Sequence, residues 1–374
     1  MRRTPLALSV LTCAAVAVVP VAAQAAQPVA VAGSLASLTG SASAYGISQA
    51  RGVSLAAQQS KGAPGVRVAV LGSDDQSSND MAKWQMTGFV GSRVGAVLGP
   101  TLSGAAAAAD PIAVAAGIPV LAVTNTTLDI TAAGPTVWRV CLGEDQLIPA
   151  SVAYAKANRG VRTAALVSVT GDAYSEGAAA QFRAAAAAQG ITLTADVTMP
   201  MGSPNADAVV AQAVATGPQA IFFAARSTDA SNLLVAAAGF TGTKVGGNGY
   251  NTPDVLQASG PAAEGLIVSA SWNPGRTDAR SRAFIRAYRA KYGTTPDAFA
   301  AQGYGGVQVL RQAVADGRGT TAVAVQRGLT RITRVTTVLG QLTFPGSSHE
   351  AVYPATVQVV SGGRLVVAPG GVSS

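Results

Sequence analysis

The chain predicts an α/β protein built as two doubly wound, Rossmann-like lobes, and three observations carry that prediction. Short, near-continuous apolar runs recur between helix-length segments, as parallel strands covered by helices on both faces require. At 374 residues the chain exceeds the length over which one hydrophobic core keeps growing, so two lobes are expected. Many of the apolar runs end in turns of glycine, small hydroxyls and asparagine, placed at the edge where open α/β sheets bind ligands.

In chain order, residues 1–26 come first. Arg2 and Arg3, an apolar stretch and the small residues Ala23, Ala25 and Ala26 form the pattern of a cleaved secretory signal. Pro20 and Gln24 interrupt a run already near the lower limit of ~17 apolar residues for a membrane span, which weakens a retained anchor. A periplasmic or otherwise exported protein beginning near Ala26 or Gln27 is expected. Strands then follow at 29–32, 66–71, 94–98, 119–123 and 137–141. A second series places strands at 163–169, 191–199, 220–225, 243–246 and 266–270, with helices over 174–189 and 228–239. The alanine runs at 105–109 and 184–188 read as helix faces, alanine being the strongest helix former.

Beyond the turn-rich Trp272-Asn273-Pro274-Gly275 the pattern changes. Residues 280–292 and 297–316 read as long helices returning to the first lobe. A strand at 340–344, a loop at 345–348 and a hairpin of 351–360 with 364–367 about Gly362-Gly363 complete the chain. Three joints between lobes are expected, at 141–145, 272–276 and 345–350. They divide the chain into an N-terminal lobe of 27–144 plus 275–345 and a C-terminal lobe of 145–274 plus 346–374.

Composition and motifs exclude several chemistries. The formal net charge is +8, but no block of like charges occurs, and charged residues at 12% and aromatics at 5% are too thinly spread for nucleic-acid binding. His349 is the only histidine, and no G-x-S-x-G frames a serine, so a hydrolytic triad lacks its parts. There is no Walker lysine frame, and G246-G-N-G-Y-N lacks dinucleotide-binding spacing. Without the signal, Cys141 is the sole cysteine, which excludes an internal disulfide or a thiolate-imidazole zinc site and reads as a buried thiol. Asp74-Asp75 and Glu144-Asp145 are the only acidic pairs and read as solvated loop acids, so neither metal nor cofactor is expected.

What remains is hydrogen bonding at strand ends. In residues 94–131 an apolar run ends in L-G-P-T-L-S, an alanine-rich helix follows, and a second run ends in T-N-T-T. Turns with Tyr45, with Thr101 to Gly104 including Ser103, and with Thr124 to Thr127 including Thr126 gather in the first lobe. Turns with Tyr174, Arg226 and Asn248 gather in the second. Small hydroxyls with helix amino-terminal N–H groups suit a carboxylate, and the tyrosines supply walls. Trp84 and Trp138 read as packing residues, Trp272 as joint packing, and Phe299 and Tyr304 as core.

The order G-S-L-A-S-L-T-G-S-A-S-A-Y-G, L-G-P-T-L-S, G-I-P-V-L-A-V-T-N-T-T-L-D-I-T, G-D-A-Y-S-E-G, G-G-N-G-Y and F-I-R-A-Y-R-A-K-Y-G-T-T-P-D-A-F-A resembles the periplasmic leucine/isoleucine/valine-binding family over nearly the whole mature chain. The resemblance implies a type I periplasmic-binding fold, two lobes joined by three crossovers, that closes on a ligand and delivers it to the membrane subunits of an ABC importer. It implies carboxylate-binding hydroxyls at Ser103 and Thr126, ammonium-facing groups at Thr124 and Thr126, an aromatic wall at Tyr45 and a closing tyrosine at Tyr174. Two positions depart from the pattern. Asn248 stands where members that bind amino acids carry an acid for the α-ammonium, and Arg226 stands where an aromatic is frequent, its guanidinium suited to hold a carboxylate.

Together these departures predict a ligand with less positive or more negative charge. The expected function is that of an exported, monomeric, non-enzymatic receptor for a small carboxylate-bearing ligand, an amino acid or an organic acid. A sensory or cell-envelope regulatory module of the same fold is the alternative, and a secreted Rossmann-like enzyme is a more distant one.

Overall fold

Alternating burial of short apolar runs and polar turns produces the expected strand-helix rhythm in the computed structural model, which describes residues 27–346 and 348–372. The first sheet is wholly parallel and holds β1 (Val29–Ala36), β2 (Arg67–Asp74), β3 (Ala96–Leu98), β4 (Val120–Ala122) and β5 (Val137–Arg139) in the order β2-β1-β3-β4-β5. The central strands β3, β4 and β5 are buried throughout, as coverage on both faces demands. Helices α1 (Ser43–Ser60), α2 (Asn79–Gly91) and α3 (Ser103–Ala115) connect them.

The chain then crosses through α4 (Glu144–Arg159) into the second sheet. This sheet contains β6 (Thr163–Thr170), β7 (Thr192–Pro200), β8 (Ala220–Ala224), β9 (Thr243–Gly246) and β10 (Ile267–Ala270), with α5 (Ala173–Ala188), α6 (Ala206–Val214), α7 (Ser227–Ala236) and α8 (Pro253–Ser259) between them. It returns through α9 (Ala279–Tyr292), α10 (Ala298–Gly317) and α11 (Ala322–Leu329) to a small hairpin of β11 (Arg334–Thr337) and β12 (Gly340–Thr343). A third crossing leads to β13 (Thr356–Ser361) and β14 (Arg364–Val372), which add antiparallel to give the order β14-β13-β10-β9-β8-β6-β7.

Side-chain caps mark many helix starts. Ser78, Asp172, Thr252, Asp278, Asp297 and Thr321 each accept an N–H of the first turn of α2, α5, α8, α9, α10 and α11. One core under the first sheet joins Val53, Leu98 and Leu121 to Phe284, Val307 and Leu310, so α9 and α10 do return to the first lobe. The contact of α1 with α10 depends on glycine: a Cβ at Gly52 would lie 1.9 Å from the Ala300 carbonyl oxygen.

Several readings need correction or addition. Trp84 is 69% exposed, because Ala82, Met86 and Phe89 occupy the buried face of α2 and leave it on the opposite side. Trp138 and Trp272 are buried, with Trp272 donating to Ser281 at 3.0 Å beside the second crossing. Asp75 is no solvated loop acid: it is buried and its carboxylate accepts the Ser77 N–H at 2.9 Å. Short elements escaped the sequence pattern, namely α8, α11 and the surface strand β11, each too brief to show a clear period. The expected signal, 1–26, lies outside the described residues. Among the described residues, no helix is long and apolar enough to cross a membrane.

Candidate functional site

Parallel strands of both sheets deliver their carboxyl-terminal turns to one place. From the first lobe come Tyr45, in the opening turn of α1 after β1, Ser103, which opens α3 after β3, and Thr124 and Thr126, which follow β4. From the second come Tyr174 in α5 after β6, Arg226 after β8 and Asn248 after β9. These seven residues, with Thr101, Leu102, Gly249 and Phe299, line a single cavity that leaves about 30 Å³ between the lobes. Wider grooves exist, such as one of about 580 Å³ along α1 and β2, but it contains none of these turn residues.

Closure is made by direct bonds. The Tyr45 hydroxyl donates to the Gly249 carbonyl at 2.8 Å and accepts the Ser227 N–H at 2.7 Å. Burial pushes its phenol up to about 12, against the opposing effect of the Ser227 bond. Phe299 packs edge-on to Tyr45 with ring centroids 5.0 Å apart, so this expected core residue also forms cavity wall. Tyr304 is half-buried against Phe284 instead. In the second lobe the Tyr174 hydroxyl accepts the Gly249 N–H at 2.6 Å.

The first-lobe turns are pinned from behind by Gln49, which sequence reasoning missed. Its side-chain oxygen accepts the Thr101 hydroxyl at 2.9 Å and lies 3.0 Å from that of Thr124, while its amide donates to the Leu35 carbonyl at 3.0 Å. Gly99 makes the turn possible. Its φ of +108° and the 2.1 Å that a Cβ would leave to the Leu35 oxygen both require glycine. Among the described residues the α3 start has no side-chain cap, and its first residue, Ser103, lines the cavity.

Charge is distributed differently from the expectation. Arg226 does not present a free fork: its Nε and Nη2 lie 2.9 and 2.8 Å from the same Asp172 oxygen. Asn248 is held by its side-chain oxygen, which accepts from Asn251 at 3.0 Å. The negative charge stands elsewhere, on Glu144, read from sequence as a solvated loop acid but wholly buried at the start of α4. Its Oε1 accepts the Thr126 hydroxyl and the Asn248 N–H, each at 3.2 Å, while among the described residues Oε2 has no hydrogen-bond partner. Burial pushes this carboxyl up to about 7, opposed first by the Asn248 N–H bond, then by the nearby Tyr174 phenol and the Thr126 hydroxyl. Its one sequence signal was its place, at a joint and in the first turn of a helix.

Cys141 is buried, and burial pushes its thiol up to about 12, far from a reactive range. Among the described residues no group of three or more histidine, cysteine, aspartate or glutamate side chains could hold a metal ion.

A family profile described as periplasmic binding protein matches residues 30–364. The Leu/Ile/Val-binding protein BraC3 of Rhizobium johnstonii is 26% identical over 323 residues, which cover 83% of this chain and 86% of its own. The crystal structure of the leucine-binding protein LivK from Thermotoga maritima superposes with a TM-score of 0.85 at 22% identity, covering 91% of this chain and 98% of that one. A solute-binding protein of an R. palustris ABC transporter, solved with benzoate, gives a TM-score of 0.81 at 22% identity, over 91% and 95% of the two chains. On that matched span, and with two sheets joined by three crossings, the chain belongs to the periplasmic binding protein family and has its type I fold.

Proposed function

We propose that this protein is an exported solute receptor of an ABC-type importer, binding a small carboxylate-bearing ligand, an amino acid or an organic acid, between its lobes. The observation that carries this reading is the uncapped amino terminus of α3, whose first residue Ser103 lines a cavity walled by Tyr45, Tyr174 and Phe299. Orphan N–H donors and the helix dipole favour an anion there, and aromatic walls suit an apolar remainder. The relatives' ligands, leucine-type amino acids and benzoate, bracket the same chemistry.

In this reading 27–144 plus 275–345 and 145–274 plus 346–374 act as two lobes that swing about the three crossings, with Tyr45, Ser103, Thr124, Thr126, Tyr174, Arg226 and Asn248 touching the ligand. The protein works as a monomer and passes its ligand to the membrane subunits. A thermal-shift screen of amino acids, dicarboxylic acids and benzoates tests it, since ligand at a hundred times its Kd adds about 2.7 kcal/mol of stability. A melt that no small acid shifts would refute the receptor reading.

A further inference from the structure

The buried acid at the first joint bears on which ligand the cavity takes. Thr126 gives its hydroxyl proton to Glu144, so toward the cavity its oxygen offers lone pairs only. The Thr124 hydroxyl is likewise engaged, with the Thr101 carbonyl 2.9 Å away and the Gln49 side-chain oxygen 3.0 Å away. One side of the cavity therefore accepts hydrogen bonds, and the Ser103 side donates them. Behind the accepting side stands a carboxylate with one oxygen that has no hydrogen-bond partner among the described residues.

Resting on the receptor reading above, we propose that Glu144, itself outside the cavity wall, sets the charge of the ligand: through Thr126 it favours a protonated amine on that side and disfavours a second carboxylate. This reverses the prediction drawn from Asn248 and Arg226, whose guanidinium is already neutralised by Asp172. Other groups around Glu144 do not cancel its charge. Arg139, the nearby cation, is bound by Glu350 and the Thr127 carbonyl. The Cys141 thiol and the Tyr174 phenol stay neutral at neutral pH, both pushed up by burial, and Asp145 is exposed.

The arrangement also links binding to a proton. Burial lifts the Glu144 carboxyl to about 7. A bound cation favours the ionised form, so binding releases a proton near neutrality and affinity for an amine-bearing ligand rises from pH 6 to pH 8.

Calorimetric titration of three matched pairs tests the assignment: L-leucine with 4-methylpentanoate, L-phenylalanine with 3-phenylpropanoate, and L-glutamate with glutarate. Wild-type protein is expected to bind at least one amino acid ~10-fold or more tighter than its deaminated partner, the preference growing toward pH 8. Glu144→Gln, which keeps the acceptor for Thr126 and Asn248, should erase both preference and pH slope yet still bind the deaminated acid. Thr126→Val, which removes the relay but keeps the carboxylate, should shrink the preference, and it carries the test alone if the first variant does not fold. An intact preference and slope in these variants, or a wild type that favours the deaminated acids, would overturn the role of Glu144 and leave the receptor reading standing. Silence of all six compounds would overturn the role of Glu144, and the receptor reading falls with it only if the wider screen, benzoates included, also leaves the melt unshifted.

Discussion

Tyr45 and Gly249, 204 residues apart in sequence, meet across the cleft through a 2.8 Å hydrogen bond from the tyrosine hydroxyl to the glycine carbonyl. The same hydroxyl takes the Ser227 N–H at 2.7 Å, so one first-lobe side chain ties two second-lobe turns. Removing it leaves a buried donor and acceptor without partners only when the lobes are together. Tyr45→Phe is therefore expected to favour the open form and to weaken ligand binding by about 1 to 3 kcal/mol. Small-angle scattering with saturating ligand, beside calorimetry, checks this, and an unchanged affinity and radius of gyration would refute it.

Asp172 neutralises Arg226 while its other oxygen caps α5 by accepting the Ser175 N–H at 3.0 Å. Asparagine retains the cap but not the charge. Asp172→Asn should thus release the guanidinium toward the cavity and tighten binding of benzoate, a plain monoanion, roughly fivefold or more. No gain in benzoate affinity would mean that Arg226 does not face the ligand.

The buried carboxyl of Glu144 also governs stability. Because burial raises its folded-state value to about 7, its favourable contribution is complete below the ordinary glutamate range and is lost as pH climbs through 7. Glu144→Gln is not subject to that loss. Relative to wild type it should gain on the order of 2 to 3 kcal/mol between pH 5 and pH 8, read as diverging melting temperatures. Asp297, which burial pushes up to about 6, adds a loss of the same sign to both proteins, so parallel curves would count against Glu144 alone.

Two glycines separate packing from propensity. Gly52→Ala drives a methyl against the Ala300 carbonyl at the crossing of α1 and α10 and should destabilise by about 1 to 3 kcal/mol. Gly88→Ala, in α2 with nothing within 4 Å of the added carbon, should stabilise by about 0.5 to 1 kcal/mol. Denaturant midpoints decide both, and equal effects would show that the tight crossing relaxes freely.

Much of the architecture was legible because strands buried on both faces write themselves as unbroken apolar runs, as in A-I-F-F-A of β8 and V-L-A of β4. Turn residues were legible for a similar reason: Gly99-Pro100 and Asn248-Gly249 disfavour prolonging the strand before them, so they mark the edge where Ser103 and Asn248 stand. Short amphipathic pieces such as α11 carried too few turns to declare a period. Trp84 misled because an aromatic's size argues for burial, whereas its helix face is settled by Ala82, Met86 and Phe89.

By itself the sequence determined the two βα series and the strand-end turns from which seven side chains reach one cavity, since each follows from local patterning. Only the tertiary structure decided the electrostatics of that cavity. Whether an acid is solvated or buried, and whether an arginine is free or paired, depends on residues distant along the chain: Glu144 lies 104 positions from Asn248, and Arg226 lies 54 from Asp172. Charge acts through space and is reshaped by burial, so it appears only once the two lobes have been brought together.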